Sequence, residues 1–299
     1  MEHSFILPPF LADGDQQSTD ESAELLSLSI GIAAHVAEVI QDKRRELGDL
    51  RDFSQSKSSL EDPVTVVDSL AEDLITEKIK EARPQDGLIG EEGSAASSIS
   101  GITWIVDPID GTVNFIYGHP NYAVSIAAAR DGEVVSGCVI NVATRELYVA
   151  ARGQGAYLLG EGAEPRRLQA SQEDTLQTTL VGTGFSYAAL RRQAQAKILQ
   201  SILPTVRDIR RMGSAALDLC AVATGRLDAY YEHALNAWDF AAGLLIARES
   251  GAVAVAPALS QSGDDANLLW ACGPRIAEDF SKLMGEIPQE LSLSTLEAG

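Results

Sequence analysis

The sequence predicts an α/β protein with an α+β N-terminal lobe and an α/β C-terminal lobe. Two amphipathic helical patterns precede a series of short strands, helix and strand patterns alternate in the second half, and 45% of the 299 residues are hydrophobic. A chain of this length and composition can bury one large core or two fused cores. We place the lobes at residues 20–165 and 166–287, with flexible tails at 1–19 and 288–299.

Periodicity gives the expected elements in chain order. Apolar residues three or four apart predict a long helix over 25–40, a polar loop over 49–62 and a second helix that starts near Asp68 or Ser69 and stops before Pro84. An antiparallel meander is predicted from four strand-like runs, 103–106, 122–129, 133–140 and 146–150. The second half is expected to have helices at 188–203, 213–224 and 238–250 and strands at 227–231 and 252–256.

Composition excludes several classes of function. The 43 Asp and Glu residues outnumber the 23 Lys and Arg residues, and the net charge of −20 opposes binding to nucleic acid. The three cysteines are widely spaced in apolar stretches, which indicates reduced thiols and a cytoplasmic protein. We find no apolar run near the roughly 18–20 residues of a membrane span and no signal-peptide pattern.

One segment combines an apolar strand with two carboxylates. Residues 104–106 are apolar, and Asp107, Asp110, Gly111 and Thr112 follow. Carboxylates at a strand end can hold a hard divalent cation that also binds phosphate oxygen. If Thr112 begins a helix, the free N–H groups there would form an anion site. Taken alone, however, Asp-Pro and Asp-Gly are more typical of a simple turn between two elements.

Three further acidic residues stand at comparable positions. Glu91 follows a short apolar run within Gly90-Glu91-Glu92-Gly93, Asp68 follows Val64 to Val67, and Asp239 follows Trp238. Each has an ordinary explanation by itself, an acidic turn for Glu91 and helix capping for Asp68 and Asp239. None of the four histidines lies in a metal-ligand pattern, which disfavours zinc or a histidine nucleophile.

Together and in this order, the acidic segments resemble the inositol monophosphatase family, a group of lithium-sensitive, magnesium-dependent sugar phosphatases. The resemblance covers about residues 20–285 and rests on four motifs, 62–68, 90–92, 104–115 and 238–243. It implies a layered αβαβα architecture with the active site between the lobes. It also implies a homodimer that acts on a small phosphate monoester.

The resemblance further implies the metal ligands. One Mg2+ would be held by Glu91, Asp107 and the backbone carbonyl of Ile109. A second would be held by Asp107, Asp110 and Asp239, so that Asp107 bridges the two ions. Glu91 would also hold a weaker third ion through water, giving two or three ions per site.

The implied mechanism needs no covalent phosphoenzyme. One ion lowers the pKa of a water, and Thr112 and Asp68 orient that water for in-line attack on phosphorus. Asp68, Thr112 and Glu91 therefore form the expected catalytic set, with Lys57 near the metal-bound waters. The phosphate would be bound at Asp110 and at the backbone N–H groups of Gly111 and Thr112.

The substrate side is expected at Gly213, Ser214, Ala215 and Glu232, which resemble the inositol-type members. Backbone groups and the Glu232 carboxylate would bind the hydroxyls of a polyol, so inositol 1-phosphate is the expected substrate. Histidinol phosphate is the alternative, because Glu232 could also pair with an ammonium group. Bisphosphate substrates are less favoured, since Arg210-Arg211 is the only basic pair near these motifs. A regulatory binding protein with residual phosphatase activity is a further alternative.

Overall fold

The computed structural model describes residues 5–12, 21–48, 50 and 63–298. The helices are Pro9–Ala12 (α1), Glu21–Leu47 (α2), Pro63–Ala82 (α3), Thr112–Tyr117 (α4), Ala189–Ile202 (α5), Ala215–Thr224 (α6), Ala237–Glu249 (α7), Ala277–Gly285 (α8) and Leu293–Ala298 (α9). The strands are Gly87–Gly90 (β1), Ala95–Ala96 (β2), Ile102–Asp110 (β3), Ala123–Arg130 (β4), Glu133–Asn141 (β5), Leu147–Ala151 (β6), Gly155–Leu159 (β7), Arg166–Arg167 (β8), Leu180–Thr183 (β9), Asp208–Arg210 (β10), Ala229–His233 (β11), Val253–Val255 (β12) and Leu268–Cys272 (β13).

The first sheet has eight strands in the order β2-β1-β3-β4-β5-β6-β7-β8. Its strands from β3 to β8 pair antiparallel with their chain neighbours, which confirms the predicted meander, while β1 runs parallel to β3. Strand β7 was not predicted, because its five residues lack a polar and apolar alternation.

The second sheet is mixed, in the order β10-β9-β11-β13-β12. Strands β10, β9 and β11 are parallel, and β13 is antiparallel to both of its neighbours. Strand β13, all five of whose residues are buried, was not predicted from the sequence. A strand covered on both faces shows no period of two.

Five layers result, so the predicted αβαβα architecture is confirmed. Helices α2 and α3 cover one face of the first sheet, with Ile30, Ile75 and Trp104 in their shared core. Helices α6 and α7 fill the space between the two sheets. Helices α5 and α8 cover the outer face of the second sheet, where Trp270 packs edge-on against Phe280. Helix α7 therefore carries residues into the interior between the sheets.

Helix α2 corrects the expectation that no apolar run approaches the length of a membrane span. By length and composition it is the one helix of the described residues that is long and apolar enough to cross a membrane. However, 61% of its most apolar window is buried inside the structure. The central helix of a packed core passes the same test, so its composition is weak evidence of a span.

Helix α3 starts five residues earlier than predicted. It begins at Pro63, a residue that suits the first position of a helix, so Asp68 lies inside the helix and does not cap it. The β-branched run before Asp68 obscured this start, because such residues favour strands. The predicted loop at 49–62 lies outside the described residues except for Leu50, which is buried.

Both predicted tails contain packed residues. Phe5 is 5% exposed, pairs with Glu161 and lies under the guanidinium of Arg145. Near the other end, Leu291 is 2% exposed and Leu293–Ala298 is helical. Phe5 belongs to a short apolar run with two prolines, and Leu291 is a single apolar residue in a polar stretch, so neither segment shows a helical or strand period. The remainder of 1–19 lies outside the described residues, apart from α1 and the residues beside it.

Gly137 tests the contact between β5 and α7. A Cβ at Gly137 would lie 2.8 Å from the carbonyl oxygen of Ala242. Gly137→Ala should therefore lower the free energy of unfolding by about 1–3 kcal/mol, measured by urea denaturation. The matched control is Gly31→Ala in α2, because a Cβ at Gly31 would have no other atom within 4 Å. This substitution should stabilise the helix by about 0.5–1 kcal/mol. Equal effects of the two substitutions would contradict the predicted contact.

Candidate active site

A β-bulge at the end of β3 directs two carboxylates to one side. Asp107 pairs with Ser125 and Asp110 with Ala123, so β3 has one extra residue between them. In a regular strand, residues three apart point to opposite faces. Here Ile109 is instead buried in the core below α2 and α3, while Asp110 contacts α6 on the other face. The bulge thus brings Asp107 and Asp110 to the same cavity.

Asp110 sits at the N-terminus of α6. Its Oδ2 accepts hydrogen bonds from Ser214 Oγ at 2.6 Å and from the Ala216 N–H at 2.7 Å. Burial raises the pKa of Asp110 to about 6, and these hydrogen bonds partly counteract the rise. The carboxylate therefore joins the strand end to the predicted substrate segment 213–215.

Asp239 has a similar position at the start of α7. Its Oδ2 accepts a 2.6 Å hydrogen bond from the Asn236 N–H, and Asn236 caps the helix in return. Asp239 is thus the third residue of the helix and not its cap. Burial, followed by the charge of Asp110, raises its pKa well above the usual value.

Glu91 stands in the turn after β1, and Glu72 in α3 holds that turn in place. Glu72 is 2% exposed, and its two carboxylate oxygens accept 2.8 Å hydrogen bonds from the N–H groups of Glu92 and Ser94. The carboxylate thereby fixes the backbone on either side of Gly93. The role of Glu72 was not predicted, although the sequence places this acid on the apolar face of a predicted helix.

The loop after β3 contains Gly111 and Thr112 at the start of α4. Gly111 has φ +93°, and a Cβ there would lie 2.8 Å from the carbonyl oxygen of Asn121, so the position requires glycine. The hydroxyl of Thr112 donates to the carbonyl oxygen of Ile109 at 3.1 Å. Asn114, whose role was missed, donates to the carbonyl oxygens of Asn121 and Met212 at 2.7 Å each. This amide holds the loop against the segment before Gly213.

A cavity of about 450 Å³ collects most of the predicted site. Asp68 is buried in α3 but is not among the lining residues, and Lys57 lies outside the described residues. The predicted residues that line it are Glu91, Asp107, Ile109, Asp110, Gly111, Thr112, Gly213, Ser214, Ala215, Glu232 and Asp239. Arg211, one of the basic pair noted near the substrate motifs, also lines the cavity, and the residues that the sequence did not indicate include Phe185, Tyr187, Arg191 and Leu293.

Glu232 lies on the side of the cavity formed by β11. It accepts a 2.5 Å hydrogen bond from the Tyr230 hydroxyl, and a Cβ at Gly184 would lie about 2 Å from its carboxylate. Only glycine leaves room for the acid at that point. Burial raises the pKa of Glu232 to about 7, and the nearby Arg211 guanidinium lowers it in part.

The donor set suits a hard cation. Burial raises the pKa of Asp107 well above its usual value, and the charges of Glu91, Asp110 and Asp239 raise it further. Among the described residues, no group of three or more His, Cys, Asp or Glu side chains is already arranged to hold a metal ion. The four carboxylates instead raise one another's cost of ionisation, with Glu91 making the largest contribution to the pKa of Asp107 after burial. A divalent cation bound among them would neutralise the crowded charges.

The fold and the acidic cavity define an enzyme of the layered α/β phosphatase class. The sequence model of the "Inositol monophosphatase family" matches residues 21–285. The chain therefore belongs to the inositol monophosphatase family and is a phosphatase.

Individual relatives agree with this assignment. "Inositol-1-monophosphatase SuhB" of Mycobacterium tuberculosis is 44% identical over 272 residues, which cover 87% of this chain and 93% of the relative. "Nus factor SuhB" of Xylella fastidiosa is 36% identical over 80% of this chain and 88% of its own length. The solved structure of Mycobacterium tuberculosis SuhB superposes with a TM-score of 0.78 at 42% identity, covering 90% of this chain and 99% of that one.

The hydrogen bonds of Glu72 predict a role in metal binding. Glu72→Gln places an amide N–H against one of the two backbone N–H groups, which should cost about 1–3 kcal/mol of stability. The displaced turn should weaken divalent-cation binding by about tenfold or more, measured by isothermal titration calorimetry with Mg2+. Glu77→Gln makes the same chemical change on the exposed face of α3 and serves as the control. Equal Mg2+ affinity in the two variants would show that Glu72 does not position Glu91.

Proposed function

We propose that the protein catalyses Mg2+-dependent hydrolysis of a small phosphate monoester, with inositol 1-phosphate as the substrate. The observation that carries the proposal is the convergence of Glu91, Asp107, Asp110 and Asp239 from three separate parts of the chain on one cavity. These carboxylates, with the carbonyl oxygen of Ile109, would hold two or three ions. The complete carboxylate set favours catalysis over the purely regulatory alternative.

The residues of the chain would position the reacting groups. Bound Mg2+ would supply Lewis acidity and lower the pKa of water. The N–H groups of Gly111 and Thr112, at the start of α4, would orient the phosphate oxygens. Because the Thr112 hydroxyl donates to Ile109, its lone pairs are free to accept a hydrogen bond from the attacking water. We assign the partner role in orienting that water to Asp68, and Lys57 would contact waters of the metal site.

The environment of Glu232 supports a polyol over an ammonium-bearing alcohol. Arg211 already places a positive charge near Glu232, and a substrate ammonium would be repelled by it. Hydroxyl groups of a polyol can instead bind both Glu232 and the backbone at Gly213 to Ala215. This balance favours inositol 1-phosphate over histidinol phosphate.

We further propose a lithium-sensitive, cytoplasmic homodimer. The three cysteines are free and buried, as expected for a reducing compartment. Val113 and Tyr117 on α4 are 40% and 59% exposed and offer apolar surface for a second subunit. A small monovalent cation such as Li+ would compete for carboxylate oxygens at the same site.

Asp107→Asn tests the metal-dependent reaction. Because Asp107 is expected to bridge two ions, its replacement should lower kcat/KM for inositol 1-phosphate by about a hundredfold or more at saturating Mg2+. Phosphate release by the wild type should also stop when the ions are removed by a chelator and return when Mg2+ is added. Asp131→Asn, in the exposed β4–β5 turn, is the control and should leave the rate unchanged. Metal-independent release, or equal rates in the two variants, would contradict the proposal.

A panel of phosphate esters tests which alcohol group the active site accepts. Under one Mg2+ concentration, kcat/KM should be highest for inositol 1-phosphate and lower for histidinol phosphate, fructose 1,6-bisphosphate and adenosine 3′,5′-bisphosphate. Glu232→Gln removes a charged acceptor and should lower kcat/KM for inositol 1-phosphate by about tenfold, mainly through KM. A clear preference for histidinol phosphate would instead make the alternative substrate correct.

A further inference from the structure

The segment after α8 is built into the wall of the active-site cavity. It follows the region that matches the family, which ends at residue 285. The Leu268 N–H donates to the Gln289 carbonyl at 2.8 Å, and the Leu291 N–H donates to the Ala266 carbonyl at 3.0 Å. His233 adds a 2.8 Å hydrogen bond to the Pro288 carbonyl. These bonds fix the segment against the start of β13.

Arg191 connects this segment to two other walls of the cavity. Its side chain is buried in α5, and its Nε donates to the Leu291 carbonyl at 3.0 Å. The two remaining nitrogens donate to Ser186 Oγ and to the Asp264 carbonyl, both at 3.3 Å. Ser186 and Asp264 both line the cavity. The planar guanidinium therefore sets the distance between three segments that surround the substrate space.

Leu293 is the residue that this arrangement presents to the cavity. It lines the cavity and is 38% exposed. Two residues earlier in the chain, Leu291 is tied through Arg191 to the loop at 184–188, whose Gly184 lies against the Glu232 carboxylate. Leu293 therefore borders the side on which the alcohol would bind, together with Phe185 and Tyr187.

We propose that Leu293 is a specificity-determining residue that limits the size of the alcohol group. The inference rests on the proposed function, since it assumes that the alcohol of the ester lies beside Glu232. The cavity of about 450 Å³ is near the lower end of the roughly 300–1,000 Å³ range of ligand pockets. In a space of that size, one leucine side chain decides whether a nucleoside or only a compact polyol fits. The side chain cannot retreat freely, because Leu291 and Arg191 hold the backbone beside it.

The experiment compares a small ester with a bulky one. We would measure kcat/KM for glycerol 2-phosphate and adenosine 2′-monophosphate at one Mg2+ concentration in the wild type, Leu293→Ala and Leu293→Phe. The ratio of the small to the bulky substrate should fall about tenfold in Leu293→Ala and rise in Leu293→Phe. Leu203→Ala, at an exposed leucine after α5, is the control and should leave the ratio unchanged.

A ratio of small-ester to bulky-ester kcat/KM that falls in Leu293→Ala and rises in Leu293→Phe would support the proposal. A ratio that stays at the wild-type value in both variants, with unchanged thermal stability, would overturn it. Failure of the proposed function is a separate outcome, because preference for histidinol phosphate would refute the substrate while the size ratio still tests Leu293. If the wild type hydrolyses neither test ester, the affinities of the two esters are measured by isothermal titration calorimetry in the same variants. The ratio of these affinities then supports or overturns the proposal by the same criteria.

Discussion

The crowding of carboxylates in one cavity is the constraint on which the rest of this structure depends. Burial raises the pKa values of Asp107, Asp110 and Asp239, and repulsion from neighbouring carboxylates raises those of Asp107 and Asp239 further, so the charged forms are costly. The fold offsets that cost with main-chain donors, and Ala216 and Asn236 supply two of them at the starts of α6 and α7. Because the middle layer of helices points these N-termini at the cavity, the five-layer arrangement and the acidic site require each other.

The active site also requires irregular backbone at the end of β3. The extra residue in β3 turns Ile109 into the core and lets Asp107 and Asp110 face the same space. Pro108 lies inside this bulge, where the lack of an N–H donor breaks no regular ladder bond. The Asn114 amide then holds the following loop against the chain before Gly213, about a hundred residues later. A bulge and a side-chain amide thus connect the metal side to the substrate side.

Sequence alone could predict the features that repeat or that stand in motifs. The period of α2 was evident because one face of the helix is buried, and Asp107, Asp110 and Asp239 stood in ordered motifs. The meander was predicted from a series of short strand-like runs separated by turns, although β6 is buried along its whole length. Strand β13 is equally buried, shows no alternation and lies outside such a series. Glu72 and Arg191 were missed for a different reason. Their roles come from hydrogen bonds to backbone groups 20 to 100 residues away, and no local pattern records such partners.

The two sides of the cavity differ in how strongly the fold constrains them. Replacing Asp110 would remove the hydrogen bonds that join β3 to α6, so stability and chemistry would change together. Leu293 is partly exposed and contributes an apolar side chain from a segment outside the matched region. Its size can therefore change with little cost to the layers. Such a division lets the reaction on phosphorus stay fixed by the interior, while the alcohol that is accepted depends on residues at the rim.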